Sequence, residues 1–141
     1  MSEDICVLVV DDFSTMRRVI RKILKGIGLE NVTEADNGKK AWEIISRQKI
    51  DLVICDWHMP NMKGVDLLEK IRSDPKYTDL PFIMVTAEGK KKFVLEASEK
   101  GVTSYITKPF STEDLENALK SMFRNPPFLK TQTEASNPDK G

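Results

Sequence analysis

Two aspartates stand side by side at the end of an apolar run, in "VLVVDD" from Val7 to Asp12. Two carboxylates about 5 Å apart repel by roughly 3 kcal/mol at an effective dielectric of about 20, so something must offset them. Other polar residues follow other apolar runs. Asp56, Trp57 and His58 come after "DLVIC" (Asp51 to Cys55). Thr86, Ala87 and Glu88 come after "PFIMV" (Pro81 to Val85), and Lys108 and Pro109 after "SYIT" (Ser104 to Thr107). Three carboxylates with no arginine expected beside them call for a cation. Hard oxygen ligands with few or no histidines favour Mg²⁺, which accepts one or two carboxylates and keeps several waters. A magnesium site at Asp11 and Asp12, beside a carboxylate, a hydroxyl and an amine, is what phosphoryl transfer needs. Asp56 can act as the nucleophile and form an acyl phosphate. The metal and Lys108 neutralise phosphoryl oxygens, and the Thr86 hydroxyl donates to one of them. Glu88 is a candidate fourth carboxylate. Each residue alone has a plainer role, such as a helix cap for Asp11 or Thr86 and a solvated turn for Lys108. What points to chemistry is the whole set falling on one rim, not any one member.

That set shares a rim only if the elements form a parallel sheet. Short apolar runs alternate with helical patterns along the chain. "ICVLVV" (Ile5 to Val10) is a strand. Met16, Val19, Ile20, Ile23, Leu24 and Ile27 then repeat at helical spacing, with Ser14 as N-cap and Gly26 or Gly28 as the stop. "NVTEA" (Asn31 to Ala35) is the second strand, followed by a helix with Ala41, Ile44 and Ile45 inward. Asp51 to Cys55 is the third strand, and Gly64, Leu67, Leu68 and Ile71 mark the third helix. Pro81 to Val85 is the fourth strand, followed by a helix over Lys90 to Lys100 that Gly101 stops. Ser104 to Thr107 is the fifth strand. Leu115, Ala118, Leu119 and Met122 mark the fifth helix, with Ser111 and Asp114 at its start. Five βα units with continuous apolar strands predict an α/β fold, a parallel sheet covered on both faces. Open sheets of that kind bind ligands at the carboxyl ends of their strands, where the polar set falls.

The totals fit a single domain. The chain has 141 residues, 40% of them hydrophobic and 31% charged, and its 22 basic and 22 acidic side chains cancel. Neither a nucleic-acid footprint nor a polybasic membrane patch is expected. No apolar run approaches the roughly 20 residues of a membrane span. The acids in "MSEDICVLVV" do not fit a secretory signal, so a cytoplasmic location is the expectation. Cys6 and Cys55 are expected as small buried hydrophobes near opposite ends of their strands, too far apart to bridge. The domain is expected over residues 4–123. Residues 124–141, "RNPPFLKTQTEASNPDKG", lack periodicity and are expected to form a mobile tail, with Phe128 and Leu129 as its apolar pair.

"VVDDFSTMRR", "DWHMPNMKG", "VTAEGKK" and "YITKPF" resemble the receiver domains of bacterial two-component response regulators, chemotaxis members above all. The resemblance implies a flavodoxin-like (βα)5 three-layer sandwich with strand order 2-1-3-4-5. It implies that Asp56 accepts a phosphoryl group from a phosphohistidine on a histidine kinase. Asp12 and Asp56 would ligate Mg²⁺ through their side chains, Asp11 through a water, and His58 through its backbone carbonyl. Thr86 and Lys108 would bind phosphoryl oxygens, Tyr105 would be the switch aromatic, and the Lys108–Pro109 bond would be cis. The output face would be the fourth helix, fifth strand and fifth helix, with Lys90, Lys91 and Lys92 near one end. The target expected in chemotaxis is the flagellar motor switch protein, and a phosphatase is a further candidate partner. His58 departs from the asparagine of familiar relatives. With Glu88, it is a candidate for tuning dephosphorylation. Trp57 is a candidate optical reporter.

Three other readings compete. A phosphorelay intermediate or phosphate sink would share nearly all of these residues. A phosphatase of the haloacid dehalogenase type would want Asp-x-Asp after its first strand, where this chain has adjacent aspartates. A flavodoxin would want a glycine- and hydroxyl-rich loop there, and these acids would repel its FMN phosphate.

Overall fold

The computed structural model describes residues 5–122. The expected tail, with Phe128 and Leu129, lies outside the described residues, as do the expected domain ends at 4 and 123. The elements alternate as β1 (Cys6–Val10), α1 (Ser14–Gly26), β2 (Asn31–Ala35), α2 (Gly38–Arg47), β3 (Leu52–Cys55), α3 (Gly64–Ser73), β4 (Phe82–Thr86), α4 (Lys91–Glu99), β5 (Ser104–Thr107) and α5 (Thr112–Met122). All four strand pairings are parallel, and the order is β2-β1-β3-β4-β5.

Strand residues alternate between two cores because successive side chains point to opposite faces. Leu8, Val10, Val53, Cys55, Phe82 and Met84 meet Ala41, Ile45, Leu68, Ile71 and Ala97 from α2, α3 and α4. Val7, Val9, Leu52, Ile54, Ile83 and Val85 meet Ile20, Leu24, Leu115 and Leu119 from α1 and α5. The result is three layers. Each fully buried aliphatic side chain contributes roughly 1.5–3 kcal/mol relative to exposure, which holds the strand ends in fixed register.

Local chemistry sets the boundaries. Asn37 caps α2 by accepting from the Lys40 amide at 2.8 Å. Ser111 and Asp114 form a reciprocal capping box at α5, at 2.9 and 3.0 Å. Gly28 and Gly101 follow α1 and α4 at φ of 94° and 93°, where a side chain would be strained.

Three expectations and one alternative reading, the Thr86 cap, are corrected. Ser14 is the first residue of α1 and not its cap; Phe13 holds that position, and its amide is taken by Asp11 Oδ1 at 2.9 Å. Val19 lies off the buried stripe of α1 and is 42% exposed. Thr86 ends β4 as a strand residue and does not cap α4. Cys6 is only half-buried, whereas Cys55 is buried, and burial pushes its thiol well above the usual range.

Candidate functional site

The site is built where β1 and β3 end side by side. Val10 pairs with Cys55, so Asp11 and Asp56 emerge together. The Asp56 amide donates to the Val10 carbonyl at 3.0 Å, and the Asp11 amide to the Ala35 carbonyl at 3.1 Å. The ladder therefore continues one residue past each strand and fixes both aspartates at their backbones. Asp12, the next residue, points to the exposed side. Ligand oxygens of Asp11, Asp12 and Asp56 lie within 4.8 Å of one another. A cluster of hard oxygens at that spacing fits the small divalent cation that the sequence calls for. Glu88 does not join it.

Lys108 offsets part of the charge. Its Nζ lies 3.0 Å from Asp11 Oδ2 and 3.2 Å from Asp56 Oδ2. Burial works to lower the Lys108 pKa, but the hydrogen bonds and charges of Asp11 and Asp56 outweigh it and the pKa is raised. For Asp11, burial comes first and raises its pKa. The Phe13 amide and Lys108 oppose that rise without cancelling it. Asp56 Oδ1 accepts from the Trp57 amide at 2.6 Å, so each of its oxygens is held in a defined direction. Gly64 allows this packing: a Cβ there would stand 2.0 Å from the Asp56 carbonyl oxygen.

An arginine is in fact nearby, contrary to the sequence reading. Arg17 Nη1 donates to the Asp11 backbone carbonyl at 2.7 Å, and its Nε to Glu34 Oε1 at 2.7 Å. It holds the main chain of the site and leaves the Asp11 and Asp56 carboxylates to Lys108. Arg21 binds the other Glu34 oxygen at 2.8 Å, and Glu34 is held below the usual glutamate range, mainly by the Arg17 hydrogen bond. Neither Arg17 nor Gly64 was found from sequence. Their signal is tertiary: i to i+3 or i+4 spacing puts Arg17 and Arg21 on one face of α1, but only the sheet puts Glu34 opposite.

The second half of the rim lies on β4 and β5. Thr86 is fully buried at the end of β4. Its hydroxyl accepts from the Glu88 amide at 3.3 Å. Lys108 donates its amide to the Thr86 carbonyl at 2.8 Å, and the Lys108–Pro109 bond is cis, as expected. Tyr105 is half-buried and its hydroxyl donates to the Glu88 carbonyl at 2.5 Å. Burial, then the Glu88 and Asp56 charges, push its pKa up to about 12. His58 Nε2 lies 2.5 Å from Glu88 Oε2, so the β3–α3 and β4–α4 loops meet over the site. Trp57 is buried and meets Phe93 of α4 edge to face at 5.1 Å. Lys90, Lys91 and Lys92 are exposed at the start of α4.

The class is a doubly wound α/β domain with an acidic crevice, a bridging lysine and a buried threonine at the carboxyl ends of its strands. Comparison makes that class specific. Residues 7–120 match the response regulator receiver domain family. The chain is 42% identical over 123 residues to chemotaxis protein CheY-3 of Vibrio cholerae serotype O1, covering 87% of this chain and 95% of that protein. The solved structure of chemotaxis response regulator CheY4 of Vibrio cholerae superposes with a TM-score of 0.77 at 30% identity, covering 84% of this chain and 98% of that one. The receiver domain of sensor histidine kinase PA1611 from Pseudomonas aeruginosa, solved with magnesium in its active-site cleft, superposes with a TM-score of 0.76 at 25% identity. It covers 84% of this chain and 97% of that one. The chain belongs to the response regulator receiver domain family.

Proposed function

We propose that this chain acts as the receiver of a two-component response regulator in the cytoplasm. Phosphoryl transfer from a histidine kinase to Asp56 switches the α4–β5–α5 face to bind a target, the flagellar motor switch protein in chemotaxis. The observation that carries this reading is the meeting of Asp11, Asp12 and Asp56 with Lys108 bridging two of them.

Asp56 supplies the nucleophilic oxygen. It forms a bond to phosphorus as the phosphorus–nitrogen bond of the donor breaks, and the electron pair leaves on the imidazole, which takes up a proton. Lys108 is already in place to receive a phosphoryl oxygen. The Thr86 hydroxyl accepts from the Glu88 amide, so its own proton is available to donate to another. Asp11, Asp12 and Asp56, with the His58 carbonyl, would hold Mg²⁺, which supplies charge neutralisation on the transferring group when bound. Phosphorylation adds about 1.5 to 2 negative charges, and Thr86 and Tyr105 respond. The exposed imidazole of His58, tied to Glu88, stands at the mouth of the site and sets the rate at which water reaches the acyl phosphate.

The test is intact mass after incubation with Mg²⁺ and a small acyl phosphate donor. Wild type should gain one phosphoryl group and Asp56→Asn none, and the half-life should differ between wild type and His58→Asn. No gain with any donor or competent kinase refutes the reading. A phosphorylated form that ignores a motor-switch peptide points instead to a phosphorelay intermediate or phosphate sink.

A further inference from the structure

Glu88 joins three parts of the site through three different atoms. Its amide donates to Thr86 Oγ1, its carbonyl accepts from the Tyr105 hydroxyl, and its carboxylate meets His58 Nε2. A carboxylate only accepts, so Nε2 carries the proton and donates. The loop between β4 and α4 is four residues, Ala87 to Lys90, and includes Gly89. A short glycine-containing loop has few restraints of its own on the direction of the Glu88 carbonyl. The tether to His58, on a loop from the other side of the crevice, supplies one.

We propose that His58, acting through Glu88, is a positioning residue for Tyr105. The His58–Glu88 contact holds the β4–α4 loop with its carbonyl toward the Tyr105 hydroxyl, and so favours the inward ring before any phosphoryl group is present. Tyr105 is half-buried, and a hydroxyl in that place needs an acceptor. When the carbonyl turns away, the ring moves out to water. The ring thus has two places, and the loop contact shifts the population between them. The significance of this for output rests on the reading of Tyr105 as the switch aromatic; the contact itself does not. The same contact joins the β3–α3 loop to the β4–α4 loop, so the unphosphorylated protein already carries part of the restraint that phosphorylation would complete.

The experiment uses the whole chain, unphosphorylated and in chelator, with ring-labelled tyrosine, and with ring-labelled phenylalanine in the Tyr105→Phe background. Nuclear Overhauser contacts between the Tyr105 ring and the Thr86 methyl, together with broadening by a soluble paramagnetic probe, give the inward and outward populations. Tyr77, the other tyrosine, serves as the control. His58→Ala and Glu88→Ala should each raise the outward-to-inward ratio by about two- to fivefold, the range for loss of one exposed ion pair. Glu88→Gln retains an acceptor oxygen and should keep most of the inward population. In a Tyr105→Phe background, His58→Ala should leave the ring where it is, because no hydroxyl remains to lose its acceptor. Unchanged populations in both alanine variants overturn the proposal, as does an equal shift in the Tyr105→Phe background. Phosphorylation of Asp56, followed by mass after the same variants are exchanged into Mg²⁺ with an acyl phosphate donor, reports separately on the broader function.

Discussion

Asp11→Asn is expected to make the metal-free protein more stable while removing what the metal adds. Asp11 is 2% exposed and Lys108 18%. At an effective dielectric of about 20, the contact with Lys108 at 3.0 Å is worth about 5.5 kcal/mol of attraction. Carboxylates within 4.8 Å each repel Asp11 by about 3.5 kcal/mol. Asp12 is exposed, and solvent screens its share. The charge terms therefore cancel to within about 2 kcal/mol, and burial decides the sign. Asparagine retains the oxygen that accepts from the Phe13 amide. In chelator, Asp11→Asn should gain about 1 kcal/mol, or about 3 °C in Tm for a chain of this size. With Mg²⁺ at 100 times its Kd, wild type should gain about 2.7 kcal/mol and overtake the variant.

The pH dependence has a fixed sign. The folded pKa of Asp11 is raised above 3.8, mainly by burial. Its contribution is fully present below 3.8 and is lost as pH rises through the folded value. The gap between variant and wild type should be absent at acid pH and open by neutrality. Urea unfolding in chelator across that range measures it. A variant less stable than wild type by about 1 kcal/mol or more in chelator at pH 7 would show that the Lys108 pair outweighs burial, and refute this reasoning.

Two further predictions concern the backbone of the site. Gly64→Ala places a Cβ 2.0 Å from the Asp56 carbonyl oxygen and should cost more than about 2 kcal/mol in urea unfolding, with slower phosphorylation in the fraction that folds. Glu34→Gln should cost up to about 1 kcal/mol at pH 7, since a folded pKa lowered by Arg17 contributes stability above 4.5 that is lost as pH falls through the folded value. The difference from wild type should vanish in acid.

β1, β3 and β4 were legible because each is a run of apolar residues ended by a polar one. The order of βα units then put Asp11, Asp56, Thr86 and Lys108 on one rim. Residues β2 and β5 were placed to the residue, since "NVTEA" and "SYIT" are bounded by turn-forming neighbours. Val19 was misjudged because helical spacing predicts a stripe wider than the surface that β1 and α5 offer. The Ser14 cap failed because Asp11, three residues earlier, takes the free amide at the helix start. Glu88 was read by type as a candidate fourth carboxylate on the rim, and its side chain turns to His58, a pairing set by two loops meeting in space. The strand order itself came from resemblance, because periodicity carries no information on which strands are neighbours.

The sheet order also divides the molecule by how easily its parts open. β1 and β3 are each paired on both sides, whereas β5 is paired to β4 alone. Asp11, Asp12 and Asp56 follow strands paired on both sides, whose amides are expected to be the hardest to expose to exchange. Tyr105 and the face it belongs to lie on the strand that can loosen without disturbing the others. Under the proposed function, the chemistry would be anchored where the protein resists deformation, and the answer given at the margin, where moving is cheap.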